Sequence, residues 1–184
     1  EALEAPVDLH LLDDGFSHVA LARDVDVVLL DATAPDAGGA LLPAGRLREP
    51  LSSLARADLL VVTKTDQADP GPALEVARRF APGVPVYRAR TELLGIRDGG
   101  GSAVAPADLP PGTTLAVAGI ARPEAFRATL EGMGSAIAVV TTEKDAVKLE
   151  GRLGAPLFRV AVEARVVEPG FVPELLSLLA RRPS

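Results

Sequence analysis

With 184 residues, of which 48% are apolar but only 3% aromatic, the chain can bury one sizeable core or two small lobes, built from Val, Leu and Ala instead of large rings. A formal net charge of −6 excludes the sequence-wide basic field that draws proteins to nucleic-acid phosphates, so no nucleic-acid partner is expected. The absence of Cys excludes disulfides and thiolate metal sites, leaving oxygen or imidazole for any metal, and no apolar run approaches the ~20 residues of a bilayer span.

In chain order, Val7–Leu12, Val25–Asp31 and Asp58–Lys64 are short apolar runs ending at polar residues. Two of them are nearly unbroken, which suits strands of a central parallel sheet covered on both faces. Helices are expected between them, over Leu47–Ala57 with Leu47, Leu51, Leu54 and Ala55 on one stripe, and over Ala73–Phe80 after a Pro-Gly-Pro start. Thr91–Gly112 is rich in Gly, Pro and Asp and reads as a long loop or junction. The second half repeats the alternation: strand Thr114–Ala118, helix Pro123–Glu131, strand Ala136–Thr141, helix Asp145–Leu149, strand Pro156–Val162 and a closing helix Val172–Arg181. Pro123 suits a first helical position, and Thr142 with Asp145 resembles a capping box. The expected organisation is a core part over 1–90, a junction over 91–113 and a further α/β part over 114–184.

The strongest chemical signal is Leu11-Leu12-Asp13-Asp14-Gly15-Phe16-Ser17-His18, an apolar run ending in two acids, a glycine and a histidine. Acids at a strand end suit magnesium, a hard cation that takes oxygen ligands and keeps several waters. A plain Asp-Gly turn is the competing reading. His18 is placed to orient a phosphate or shuttle a proton, whereas His10, inside the expected strand, reads as a packed sheet residue. Leu41-Leu42-Pro43-Ala44-Gly45-Arg46-Leu47-Arg48-Glu49-Pro50 presents two arginine forks and an acid where a helix is expected to begin, a pattern suited to phosphate oxygens or to a solvated Arg–Glu pair. Thr63-Lys64-Thr65-Asp66 follows the third run and resembles the guanine-reading loop of GTP-binding proteins, though a polar strand end followed by a turn fits it as well.

Taken together, Asp13-Asp14-Gly-Phe-Ser-His18, Leu-Pro-Ala-Gly-Arg46-Leu-Arg48-Glu49-Pro, Ala118-Gly-Ile-Ala-Arg-Pro-Glu-Ala-Phe126 and Thr141-Thr-Glu-Lys-Asp-Ala-Val-Lys148 resemble, in order and spacing, the tetraacyldisaccharide 4′-kinase family of lipid A synthesis. The resemblance implies a P-loop NTPase-like α/β fold, ATP and Mg²⁺ as cofactors, and transfer of the γ-phosphate to the 4′-hydroxyl of an acylated glucosamine disaccharide lipid. It also implies peripheral work at the inner face of the cytoplasmic membrane. On that basis Asp13 and Asp14 are the expected metal-binding Walker B acids, Arg46 and Arg48 lie near phosphates, and Glu49 and His18 join them at the active site. Ser17 stands where the family usually has glutamine, and the family's histidine-bearing stretch before the Thr-Glu-Lys-Asp strand is missing, since Glu131-Gly-Met-Gly-Ser leads straight into Ala136. No G-x-x-x-x-G-K-[ST] phosphate loop occurs, so the 184 residues alone are expected to turn over weakly or not at all. Two other schemes use parts of the pattern: guanine recognition through Lys64 and Asp66, and a receiver-like module in which Asp31 accepts a phosphoryl group.

Overall fold

The computed structural model describes residues 8–105, 108–109, 114–117, 138–149 and 157–181. The fold is α/β with a mostly parallel sheet flanked by helices, as its alternating apolar runs imply, and it divides into two compact units, 1–89 with 166–184, and 90–165.

In the first unit, β1 (Val27–Asp31) runs parallel to β2 (Leu59–Thr63) with Val27 opposite Leu59 and Asp31 opposite Thr63, and β2 runs parallel to the start of β3 (Val86–Arg97). Leu59, Leu60, Val61 and Val62 of β2 are all buried, because this strand has a neighbour on each side and is covered above and below. Against it pack α1 (Gly71–Phe80), through fully buried Ala73 and Ala77, and a 3-10 helix over Leu51–Arg56, through Leu54. Small alanines let the helix backbone lie close to the sheet, the role that composition suggests for them.

Three expectations for this unit change. The Val7–Leu12 run forms no strand over its described residues 8–12, and Leu9, Leu11 and Leu12 are exposed. A run apolar on both faces needs strands beside it, and among the described residues it has none. His10 is accordingly an exposed residue of an irregular segment, not a packed sheet residue. The helix expected over Leu47–Ala57 is only the 3-10 helix Leu51–Arg56, because Pro50 holds an extended φ/ψ and stops helical geometry from beginning earlier.

The chain returns to the first unit at Val166, where α3 (Phe171–Arg181) closes it. Phe171 meets the Tyr87 ring edge-on at 5.3 Å, and Glu168 accepts from both the Arg88 backbone N–H (2.8 Å) and the Arg88 Nε (2.6 Å). Burial pushes the Glu168 carboxyl up, but these two Arg88 bonds outweigh it and hold the acid below its ordinary value of 4.5. The contribution is therefore complete above the ordinary glutamate range and is lost as pH falls through the lowered value. Glu168→Gln is expected to lower stability to denaturant at neutral pH and to flatten its acid decline; parallel melts of both proteins from acid to neutral pH check this, and identical pH profiles would contradict it.

In the second unit, β6 (Ala138–Thr142) lies between β5 (Thr114–Val117) and β7 (Leu157–Val166), parallel to both, and β7 neighbours β3. β3 extends to Arg97 and pairs antiparallel with β4 (Ala103–Val104). The loop expected from Thr91 thus begins only at Asp98: Ile96 is buried with Val140, Phe158 and Val160, and that burial draws Thr91–Arg97 into the sheet. At the start of α2 (Glu143–Leu149) the Thr142 hydroxyl accepts from the Asp145 N–H at 3.3 Å and donates to its carboxylate at 3.1 Å, so Thr142 caps the Asp145 N–H as one half of the expected capping box. The expected Pro123–Glu131 helix lies outside the described residues. Among the described residues no helix is long and apolar enough to cross a membrane.

Candidate functional site

Asp13 and Asp14 lie on a turn, and Gly15–Ser17 form a short 3-10 helix after it. Asp14 adopts the left-handed conformation (φ 60°), which aspartate tolerates better than most residues. A side chain at Gly15 would approach the Leu12 Cβ to 2.9 Å, which explains the glycine of this turn. Phe16 packs against the first unit's core and anchors the turn, leaving both acids exposed.

The second charged segment is a tight loop. Gly45 N–H donates to the Leu41 carbonyl (2.9 Å), Leu42 N–H to the Leu47 carbonyl (2.9 Å) and Leu47 N–H to the Ala40 carbonyl (3.1 Å), with a cis peptide between Leu42 and Pro43. Any Cβ at Gly45 would collide with the Ala40 carbonyl, so only glycine fits.

These two segments meet. Arg48 Nη1 donates to Asp14 Oδ2 in an exposed ion pair across 34 positions of sequence. Glu49 accepts from Arg56 through Oε2 at 2.9 Å, while its Oε1 is buried with no hydrogen-bond partner among the described residues. Burial raises this carboxyl, the Arg56 guanidinium and the polar Ser53 and Ser17 side chains lower it, and the balance holds Glu49 below its ordinary range. The Arg56 guanidinium also lies over the Phe16 ring, 4.6 Å from its centroid, so one arginine touches both segments. Asp14, Arg48 and Glu49 are therefore brought together. Asp13, Arg46 and the His18 ring form no ion pair with the described residues; Arg46 is held through its N–H on the Ala37 carbonyl (3.4 Å) and His18 through its own backbone.

A second polar pair occupies the carboxyl ends of β1 and β2, where open parallel sheets bind ligands. Lys64, left-handed at φ 58°, donates to Asp31 at 2.6 Å, and Thr33 bonds Asp31 through both N–H (2.9 Å) and hydroxyl (2.5 Å). Burial raises Asp31, but Lys64 and Thr33 overcome it and lower the carboxyl below its usual value. Lys64 of the guanine-reading scheme and Asp31 of the receiver-like scheme thus engage each other.

For magnesium the donor chemistry fits: Asp13 and Asp14 offer adjacent hard oxygens, and magnesium commonly takes one or two carboxylates with water and phosphate completing its shell. Among the described residues no group of three or more His, Asp or Glu side chains is poised to hold a metal, so these residues alone would not cage the ion.

Sequence reasoning missed Arg56 and, beside it, Arg23, whose largely covered guanidinium bonds the carbonyls of Phe16, His18 and Leu21. Neither arginine belongs to a motif; each is found only through its contacts.

Mostly parallel strands flanked by helices define an α/β fold, and its P-loop NTPase-like class rests on likeness to a solved kinase. A crystal structure of LpxK from Aquifex aeolicus in complex with ATP superposes with a TM-score of 0.67 at 25% identity, covering 91% of this chain and 55% of that one. The family description tetraacyldisaccharide-1-P 4′-kinase matches residues 1–139. Tetraacyldisaccharide 4′-kinase of Anaeromyxobacter dehalogenans is 37% identical over 84% of this chain and 49% of its own length. That of Syntrophotalea carbinolica is 35% identical over 91% of this chain and 53% of its own, and that of Chlorobium phaeovibrioides 42% identical over 71% and 37%. The chain belongs to the tetraacyldisaccharide 4′-kinase family, and it spans between 37% and 53% of the length of these relatives.

Proposed function

We propose that this chain supplies the metal-binding and arginine side of a lipid A 4′-kinase site, in a protein that moves the γ-phosphoryl group of ATP to the 4′-hydroxyl of a tetraacylated glucosamine disaccharide. The observation that carries the reading is the meeting of Asp14 with Arg48, which joins two of the family's motifs. In the reaction the bond between the γ-phosphorus and the bridging oxygen of ADP breaks, a bond to the lipid oxygen forms, and the hydroxyl proton is released. Such transfers depend chiefly on positioning and charge neutralisation. Asp13 and Asp14 would hold magnesium, which when bound offsets phosphate charge. Arg46 and Arg48 present guanidinium forks to phosphate oxygens, and Arg48 exchanges Asp14 for phosphate as the nucleotide enters. Glu49, kept ionised by Arg56, anchors the arginine loop against the acidic turn; His18 stands at the far end of that turn, facing solvent.

An acylated acceptor places the enzyme at a lipid surface, and we assign it peripherally to the inner face of the cytoplasmic membrane. The sequence contains no Gly-rich phosphate loop, which in such folds makes most ground-state phosphate contacts, so the 184 residues by themselves are expected to show very weak turnover. The test is a phosphorylation assay on a sample whose intact mass corresponds to 19.0 kDa. Robust ATP-dependent phosphorylation by that sample would overturn the expectation of weakness.

A further inference from the structure

Arg23 stands in no motif, yet its side chain is only 13% exposed and its guanidinium is wholly engaged in polar contacts. Nε and Nη2 grip the two Asp26 oxygens at 2.6 and 3.2 Å in a bidentate fork. Nη1 donates to the carbonyls of His18 (2.6 Å) and Leu21 (2.8 Å), and Nη2 reaches the Phe16 carbonyl at 3.4 Å. Asp26 is itself fixed: its N–H donates to Asp58 Oδ2 at 2.9 Å, while its carbonyl accepts from the N–H groups of Asp58 (2.9 Å) and Leu59 (3.2 Å) at the head of β2. A rigid path therefore runs from the most buried strand of the first unit, through Asp26 and Arg23, to three carbonyls of the acidic turn and its continuation.

Apart from Phe16, held by the core and by Arg56, and the exposed Arg48–Asp14 pair, the turn is held by short-range hydrogen bonds, His18 N–H to the Gly15 carbonyl and Leu21 N–H to the His18 carbonyl, both 3.0 Å, and Leu11 and Leu12 before it are exposed. Only arginine offers five donors in one plane, as this cluster of one carboxylate and three carbonyls requires. We infer that Arg23 is a positioning residue: it sets the path of the Asp13–His18 turn, and hence the placement of both acids and His18, without touching substrate. The inference rests on the kinase reading for its functional consequence and on geometry alone for its structural one.

The experiment uses the complete gene product with Arg23→Lys and, as a second variant that keeps Arg23 but removes its anchor, Asp26→Asn. Two measurements separate the claims. Amide hydrogen exchange is expected to quicken at His18 and Leu21 in both variants while the β2 amides remain protected; unchanged exchange in the turn would overturn the inference whether or not the protein is a kinase. In the phosphorylation assay the half-saturating magnesium concentration is expected to rise about ten- to a hundred-fold in Arg23→Lys, the range seen when partners of metal ligands are removed. KM for the lipid should change little, and added guanidinium ion should restore part of the magnesium response to an Arg23→Ala variant. Loss of turnover with neither a magnesium shift nor guanidinium rescue would mark Arg23 as merely structural and overturn the positioning role. Absence of turnover in the parent protein would count against the kinase reading alone, since the exchange measurement still decides on Arg23.

Discussion

Gly45→Ala in the complete gene product is expected to lower ATP-dependent phosphorylation about 100-fold, the scale on which an ångström of misplacement slows a positioned reaction. The Ala40 carbonyl occupies the space the new methyl group needs, and the backbone carbon of Ala40 lies 2.7 Å from it, so no side-chain rotation relieves the clash. The loop must open, and with it move Arg46 and Arg48, which follow closely in sequence. The Arg48–Asp14 and Glu49–Arg56 pairs then lose register together. The core of the first unit lies elsewhere, on β2 and α1, so its thermal transition should shift little. Steady-state kinetics with a melting curve on the same sample check this, and activity within about twofold of the parent would contradict the assigned role of the loop.

The largest expected effect on stability is at Leu60. It is wholly buried at the centre of the first unit's core, among Leu30, Leu54, Val62, Ala73 and Ala77, with strands on both sides. Leu60→Ala removes a side chain that small alanine neighbours cannot refill, so the cost combines lost transfer energy with a cavity, about 2–5 kcal/mol. For a chain of this size that corresponds to a fall of about 10 °C in the midpoint of thermal unfolding. Leu29→Ala on β1 serves as the contrast, since Leu29 is 64% exposed, and should cost little. Equal losses at the two positions would mean that the core is not where the structure places it.

What can be read in the sequence follows a physical divide. Val25–Asp31 and Asp58–Lys64 are legible because Val/Leu runs favour strands, and β1 and β2 lie within those bounds; β2 is covered on both faces as such a run suggests, whereas β1 buries Leu30 and leaves Val27 and Leu29 exposed. Leu9, Leu11 and Leu12 mislead for the same reason reversed: their apolar character is that of a buried strand, but pairing is a property of neighbours, and none is present among the described residues. Thr91–Arg97 is hidden by the glycines that follow it, whereas the burial of Ile96 decides its state. At the site, the motif residues Asp14, Arg48 and Glu49 are legible because their chemistry is local. Their meeting is not, and neither are Arg23 and Arg56, whose roles lie wholly in contacts outside any motif. Among the described residues the acids sit on an exposed turn that follows no strand, so family membership rests on the motif order and the comparisons, while the turn's geometry contributes the pairing of Asp14 with Arg48.

The most direct test is to supply the complete gene product with ATP, magnesium and a tetraacylated glucosamine disaccharide and to locate any new phosphate by mass spectrometry and phosphorus NMR. The account predicts a single phosphate added at the 4′ position, with turnover lost when Asp13 and Asp14 are both replaced by Asn. No phosphorylated lipid from the parent protein, or undiminished product from the double variant, would contradict it.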